Sequence, residues 1–205
     1  MAYVLGFFVA DGTMIENNRG AHFIEFHIID LEILVYIKKV MKAEHKIAIR
    51  VRKQIHHKDG HRIQIGSKEI FSDLVKIGCM QNKSKVIRLP KIPSKYFGDF
   101  LRGYFDGDGC VYFKKLRVKD RVNKKWIFST RFTSGSLGLL MDIQSVLQHI
   151  VQGGFIVNKN RGYDLVFSHK DSLALFDLMY NNSRTFRLKR KYRIFKKAVQ
   201  TLYGR

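Results

Sequence analysis

The chain has 205 residues, 45% of them hydrophobic, and its 38 lysines and arginines against 17 acids give a formal charge of +21. That length suits one large domain or two small ones with packed cores, and a charge of this size calls for an anionic partner. Nucleic acid leads, because closely spaced phosphates attract clustered cations through counterion release, whereas no apolar run approaches the roughly 20 residues of a membrane span.

Taken in order, Tyr3 to about Val9 reads as a short helix stopped by Asp11-Gly12. The apolar run Ala2 to Ala10 lacks the charged leader and small-x-small site of a signal sequence. A polar loop, Glu16 to Gly20, leads into a strand over His22 to Ile28, and Asp30 then caps a helix carrying Leu31, Leu34, Val35 and Ile37 on one side. Ile47 to Ile55 and Arg62 to Gly66 alternate apolar and polar about a Lys58-Asp59-Gly60 turn, the pattern of a hairpin. Ser67 caps a helix over Lys68 to Ile77, ended by Gly78.

Cys79 to Pro93 is basic, holds both prolines of the chain and reads as a linker. The order then repeats, with a helix over Ser94 to Phe105, a hairpin over Val111 to Val118 and Trp126 to Thr133, and a helix over Leu137 to His149. A second hairpin covers Phe155 to Asn158 and Tyr163 to Phe167, a helix covers Lys170 to Tyr180, and a basic helix, Leu188 to Leu202, closes the chain. The expected class is α+β: two pseudo-symmetric α-β-β-α-β-β-α halves, residues 1–93 with the linker and 94–205, each an antiparallel sheet with helices on one face. Cys79 and Cys110 have no metal-ligand spacing and read as reduced thiols of an intracellular protein.

The two halves open on the same words, V-L-G-F-F-V-A-D-G at Val4 to Gly12 and L-R-G-Y-F-D-G-D-G at Leu101 to Gly109. Gly6 and Gly103, Asp11 and Asp108, and Gly12 and Gly109 match at one constant offset, which marks an internal duplication. Gly6 with Ala10, and Gly103 with Gly107, sit four apart and so share a helical face. Small faces let two backbones approach closely, and packing the opening helices there brings Asp11 and Asp108 side by side. A carboxylate at a helix C-terminus meets the negative end of the dipole, and two together are worse. A divalent cation resolves the conflict through hard oxygen ligands, with the carbonyls of Ala10 and Gly107 as further donors. The chemistry implied is metal-assisted attack of water on a phosphodiester. A calcium loop starting at Asp106 is rejected, since its sixth and twelfth positions would be Val111 and Arg117 rather than Gly and Glu. The cluster His56, His57 and His61 lacks partners at zinc-ligand spacing.

These motifs, with F-L-R-G-Y-F-D-G-D-G in the second copy, resemble the LAGLIDADG homing endonucleases in their single-chain, two-motif form. The resemblance implies a monomeric enzyme shaped as a DNA-spanning saddle, with Asp11 and Asp108 binding catalytic Mg2+ (Ca2+ or Mn2+ substituting for binding or turnover) and both strands cut across the minor groove. Val9 departs from the family pattern, in which an additional acid is common at that place. The family places a lysine late in each half, near the active site. N-K-S-K at Asn82 to Lys85 and R-K-Y at Arg190 to Tyr192 match, with Lys83 and Lys191 as the first choice for a catalytic pair that stabilises charge on the phosphate or helps activate water; Lys85 and Lys189 stay open as alternatives, as does plain phosphate contact. The main rival is a non-cutting module of the same fold, an RNA-splicing maturase acting on intron RNA or a DNA-binding regulator.

The expected partner is double-stranded DNA, read by the polar faces of the hairpins. In the first half that face is Arg50, Arg52, Gln54 and His56 with Arg62 and Gln64. In the second it is Lys115, Arg117, Ser129, Arg131 and Thr133, extended by Asn158 and Asp164. Arg and Gln suit guanine and adenine edges in a major groove, which admits a β-ribbon.

Overall fold

The structure is a computed structural model and describes residues 1–50, 59–117, 123–180 and 186–205, without the side chain of Arg50. The first half runs α1 (Ala2–Asp11), β1 (Gly12–Glu16), β2 (His22–Ile28), α2 (Leu31–Val40), β3 (Ala48–Arg50), β4 (Gly60–Gly66) and α3 (Lys68–Lys76). Two short 3₁₀ turns follow, Lys83–Lys85 within the linker and Ser94–Tyr96 just after it. The second half runs α4 (Phe97–Asp108), β5 (Gly109–Leu116), β6 (Lys125–Ser134), α5 (Leu137–Leu147), β7 (Phe155–Lys159), β8 (Gly162–Ser168), α6 (His169–Tyr180) and α7 (Lys189–Tyr203). The result is α+β, with two four-stranded antiparallel sheets ordered β1-β2-β4-β3 and β5-β6-β8-β7.

The matching orders follow from matching alternation. Met14, Ile24, Phe26, Ile63 and Ile65 lie on one side of the first sheet, and Val111, Phe128, Phe132, Leu165 and Phe167 on one side of the second; all are buried against helices. Burying these side chains stabilises the fold by roughly 1.5–3 kcal/mol each. Ser67 and Ser136 accept the backbone N–H of Ile70 and Leu139, which fixes the starts of α3 and α5.

Two expectations are corrected. The buried side of α2 is Ile33, Leu34 and Ile37, while Leu31 and Val35 are exposed. Asp30 precedes α2 but makes no side-chain cap; its carboxylate takes both prongs of Arg190 from α7 at 2.8–3.1 Å, because a charged fork outcompetes a backbone N–H. Ile49 falls on the helix side of its sheet yet is 66% exposed, since β3 is the edge strand. The expected strand beyond Val51 and most of its turn lie outside the described residues. No described helix is long and apolar enough to cross a membrane.

Candidate functional site

The duplicated helices α1 and α4 meet along their small faces. A Cβ on Gly6 would overlap the carbonyl of Phe100, and one on Gly103 the carbonyl of Tyr3, a reciprocal pair that matches the repeat offset. One turn on, a Cβ on Gly107 would stand 2.5 Å from Ala10 Cβ and 3.1 Å from Asp11 Oδ2. The helices then end together at Asp11 and Asp108, and β1 and β5 depart from there into opposite sheets.

Burial, and next the charge of Asp108, pushes the Asp11 carboxyl up to about 7. Burial likewise raises Asp108, with Lys191 and Lys83 opposing the shift. Two desolvated carboxylates at two helix C-termini form a site short of positive charge.

Lys83 and Lys191 supply part of it. Both are 6% exposed, whereas Lys85 and Lys189 face solvent. Lys83 Nζ donates to the carbonyl of Gly12 and stands 5.1 Å from the ring centroid of Phe8. Lys191 Nζ donates to the carbonyls of Phe105, Asp106 and Gly107 at 2.7, 2.9 and 3.0 Å and stands 5.3 Å from the centroid of Phe105. Phe8 and Phe105 match in the repeat, so the two ammonium groups occupy equivalent places under the two helix ends. Burial lowers both lysine pKa values, that of Lys191 to about 8.

The donor set at this centre is all oxygen: two carboxylates and the carbonyls that close α1 and α4. Among the described residues no group of three or more His, Cys, Asp or Glu gathers to hold a metal. Two carboxylates fit Mg2+, which demands oxygen ligands and completes its shell with waters and substrate phosphates. Gly107 O already accepts Lys191, which leaves one lone pair for a cation.

Asp106 is a site residue that was not chosen from the sequence. Fully buried two residues before Asp108, it accepts Tyr3 Oη at 2.8 Å and the N–H of Leu188, just before α7, at 2.9 Å. It thereby ties α1 and α4 to the helix that carries Lys191. The acid of the D-G-D-G run without a counterpart at Val9 was the available signal.

The strand faces away from the helices place the expected DNA-reading residues. Arg62 and Gln64 lie on the open face of the first sheet, beside Thr13, Glu25 and Ala48, and Arg62 pairs with Glu25 at 3.5 Å. Arg52, Gln54 and His56 lie outside the described residues. In the second sheet Ser129, Arg131 and Thr133 lie on the open face, and Asp164 joins them, held by Thr133 Oγ1 at 2.7 Å.

Lys115, Arg117 and Asn158 do not belong to this face. Lys115 pairs with Trp126, on the pleat side of Val111 and Phe113, and stands 5.8 Å from the indole centroid. Arg117 lies past the end of β5, and Asn158 pairs with Tyr163 on the helix side. Directly opposed residues share a side and successive residues alternate, so a one-residue slip exchanges the faces. The open face of β5 is Cys110, Tyr112 and Lys114, legible had the alternation been counted from Val111 and Phe113.

Residues 98–177 match the LAGLIDADG-like domain family. The chain is 21% identical to an uncharacterized protein of Methanocaldococcus jannaschii, over 98% of this chain and 72% of the relative. A 127-residue stretch, 58% of this chain, is 33% identical to part of a probable translation initiation factor IF-2 of Thermococcus kodakarensis, of which it spans 9%. Among solved structures, the LAGLIDADG homing endonuclease I-LtrWI bound to target DNA aligns with TM-score 0.68 at 16% identity, covering 100% of this chain and 90% of that one. The LAGLIDADG homing endonuclease I-SmaMI bound to cleaved DNA aligns with TM-score 0.64 at 12% identity, covering 99% and 90%.

Proposed function

The chain carries a LAGLIDADG-like domain and takes the fold of single-chain LAGLIDADG homing endonucleases, and from that premise we propose that it is a monomeric, site-specific endonuclease that cuts both strands of a long DNA target with Mg2+. The observation that carries this reading is the meeting of Asp11 and Asp108 at the α1–α4 crossing, each half adding one buried lysine. A pure binder has no need of two repelling carboxylates there. The half-domains, residues 1–93 and 94–205, each bring one acid, one lysine and one open sheet face.

Asp11 and Asp108 would hold a divalent cation, with the carbonyls of Ala10 and Gly107 as further oxygen donors, and the cation would supply a lowered pKa for an attacking water and positive charge for the leaving oxygen. The two carboxylates would also orient that water by accepting its hydrogen bonds. Lys83 and Lys191, held under the two helix ends by backbone carbonyls, add positive charge near the centre that favours the charge developing on the phosphate. Arg62, Gln64, Arg131 and their neighbours hold the duplex in register.

Selection of duplex sites from a randomised pool in Ca2+, followed by addition of Mg2+, tests the reading. The expected outcome is defined cleavage of both strands, abolished in Asp11→Asn and Asp108→Asn while binding persists. Double-strand cleavage by both variants overturns the site assignment. A selected sequence that is bound and never cut makes the protein a regulator, and enrichment of structured RNA alone makes it a maturase.

A further inference from the structure

The open face of the second sheet is polar only in part. On its edge strand Phe155 is 58% exposed and Val157 39% exposed. The register sets Phe155 against Val166 and Val166 against Arg131, and sets Val157 against Asp164 and Asp164 against Thr133. Phe155, Val157 and Val166 therefore stand on the same side as Arg131 and Thr133. They serve no core, because the helix side of β8 is already filled by Leu165 and Phe167, both fully buried. The matching register positions of the first sheet carry Ala48 for Val157 and Gln64 for Val166, so the patch is particular to the second half.

Large apolar side chains left in water on a functional face mark a contact surface. Cations border this patch: Arg131 lies in its row, and Lys159 closes the strand, paired with Asp164 at 3.0 Å. An anionic partner with an apolar feature fits it. On duplex DNA the apolar group exposed in the major groove is the C5-methyl of thymine. We propose that Phe155 and Val157, backed by Val166, form a thymine-methyl subsite that sets base preference in the part of the target bound by the second sheet. The inference rests on the DNA-endonuclease reading and names a base that this chain selects.

The test uses the duplex selected in Ca2+. Each thymine is replaced singly by deoxyuridine, which deletes only the methyl, and the Kd is measured for the wild type and for Phe155→Ala, Val157→Ala and the double variant. At one to three thymines in one half-site the wild type should lose about fourfold in affinity per methyl, as burial of one such group gives. The double variant should bind thymine and deoxyuridine targets equally. A target without a methyl-sensitive thymine, or methyl losses that persist in the double variant, overturns the subsite. DNA-free self-association abolished by Phe155→Ala also overturns it, by making the patch a contact between copies. Failure to select any duplex removes the DNA reading itself and the subsite with it. The side chains are exposed, so the variants should fold, and unchanged melting temperatures check that.

Discussion

At the scale of the residue, the centre is defined by charges held where they are uncomfortable. Asp11 titrates near 7 in the folded chain because burial and Asp108 favour its protonated form, while an unfolded aspartate titrates at about 3.9. A folded state that holds its proton more tightly gains stability that is fully present below pH ~4 and is lost as pH rises through about 7. Metal-free protein should therefore lose stability across that window, and Asp11→Asn should flatten the loss; denaturant titrations in EDTA at stepped pH measure it. The lowered Lys191 acts elsewhere: its cost holds below about 8 and is relieved above. Adding Mg2+ should raise the melting temperature more at pH 8 than at pH 5, where protons compete for the carboxylates. Asp106 makes a separate prediction. Asp106→Val, the residue of the matching Val9, strands the Leu188 N–H and the Tyr3 hydroxyl, and should destabilise by about 2–4 kcal/mol in chemical unfolding. Asp106→Asn keeps an acceptor and should recover most of that loss.

At the scale of the element, the α1–α4 crossing leaves no room for a methyl. Gly103→Ala drives a Cβ into the Tyr3 carbonyl, a backbone atom that a rotamer change does not move. A loss of about 3 kcal/mol or more follows, with double-strand cleavage falling alongside because Asp11 and Asp108 separate; thermal unfolding and a plasmid-linearisation assay read the two effects. Gly20→Ala, at an open turn position, controls for glycine loss away from the interface, though its φ of +74° carries its own strain. The same helices show how sequence reading succeeds at this scale. Small residues four apart on a repeated helix identify a packed face because the helical period is fixed. Strand faces were less secure, since an error of one position at Lys115 moved it from the open side to the helix side.

At the scale of the whole molecule, the chain carries a formal charge of +21. Duplex affinity should fall steeply with salt, by about 0.9 in log K per log salt for each phosphate neutralised. Titrations from 50 to 300 mM KCl check this, and a flat response would mean that the excess charge serves something other than phosphate binding. The sequence by itself determined the duplication, the antiparallel α+β plan and the two acids, because offset, alternation and charge are local or countable properties. Only the tertiary structure decided that Lys83 and Lys191, rather than Lys85 and Lys189, lie buried under the helix ends, that Asp106 joins three helices, and that Asn158 turns from the open face. Each of these depends on which distant segment packs opposite, and spacing along a chain does not encode the partner that burial selects.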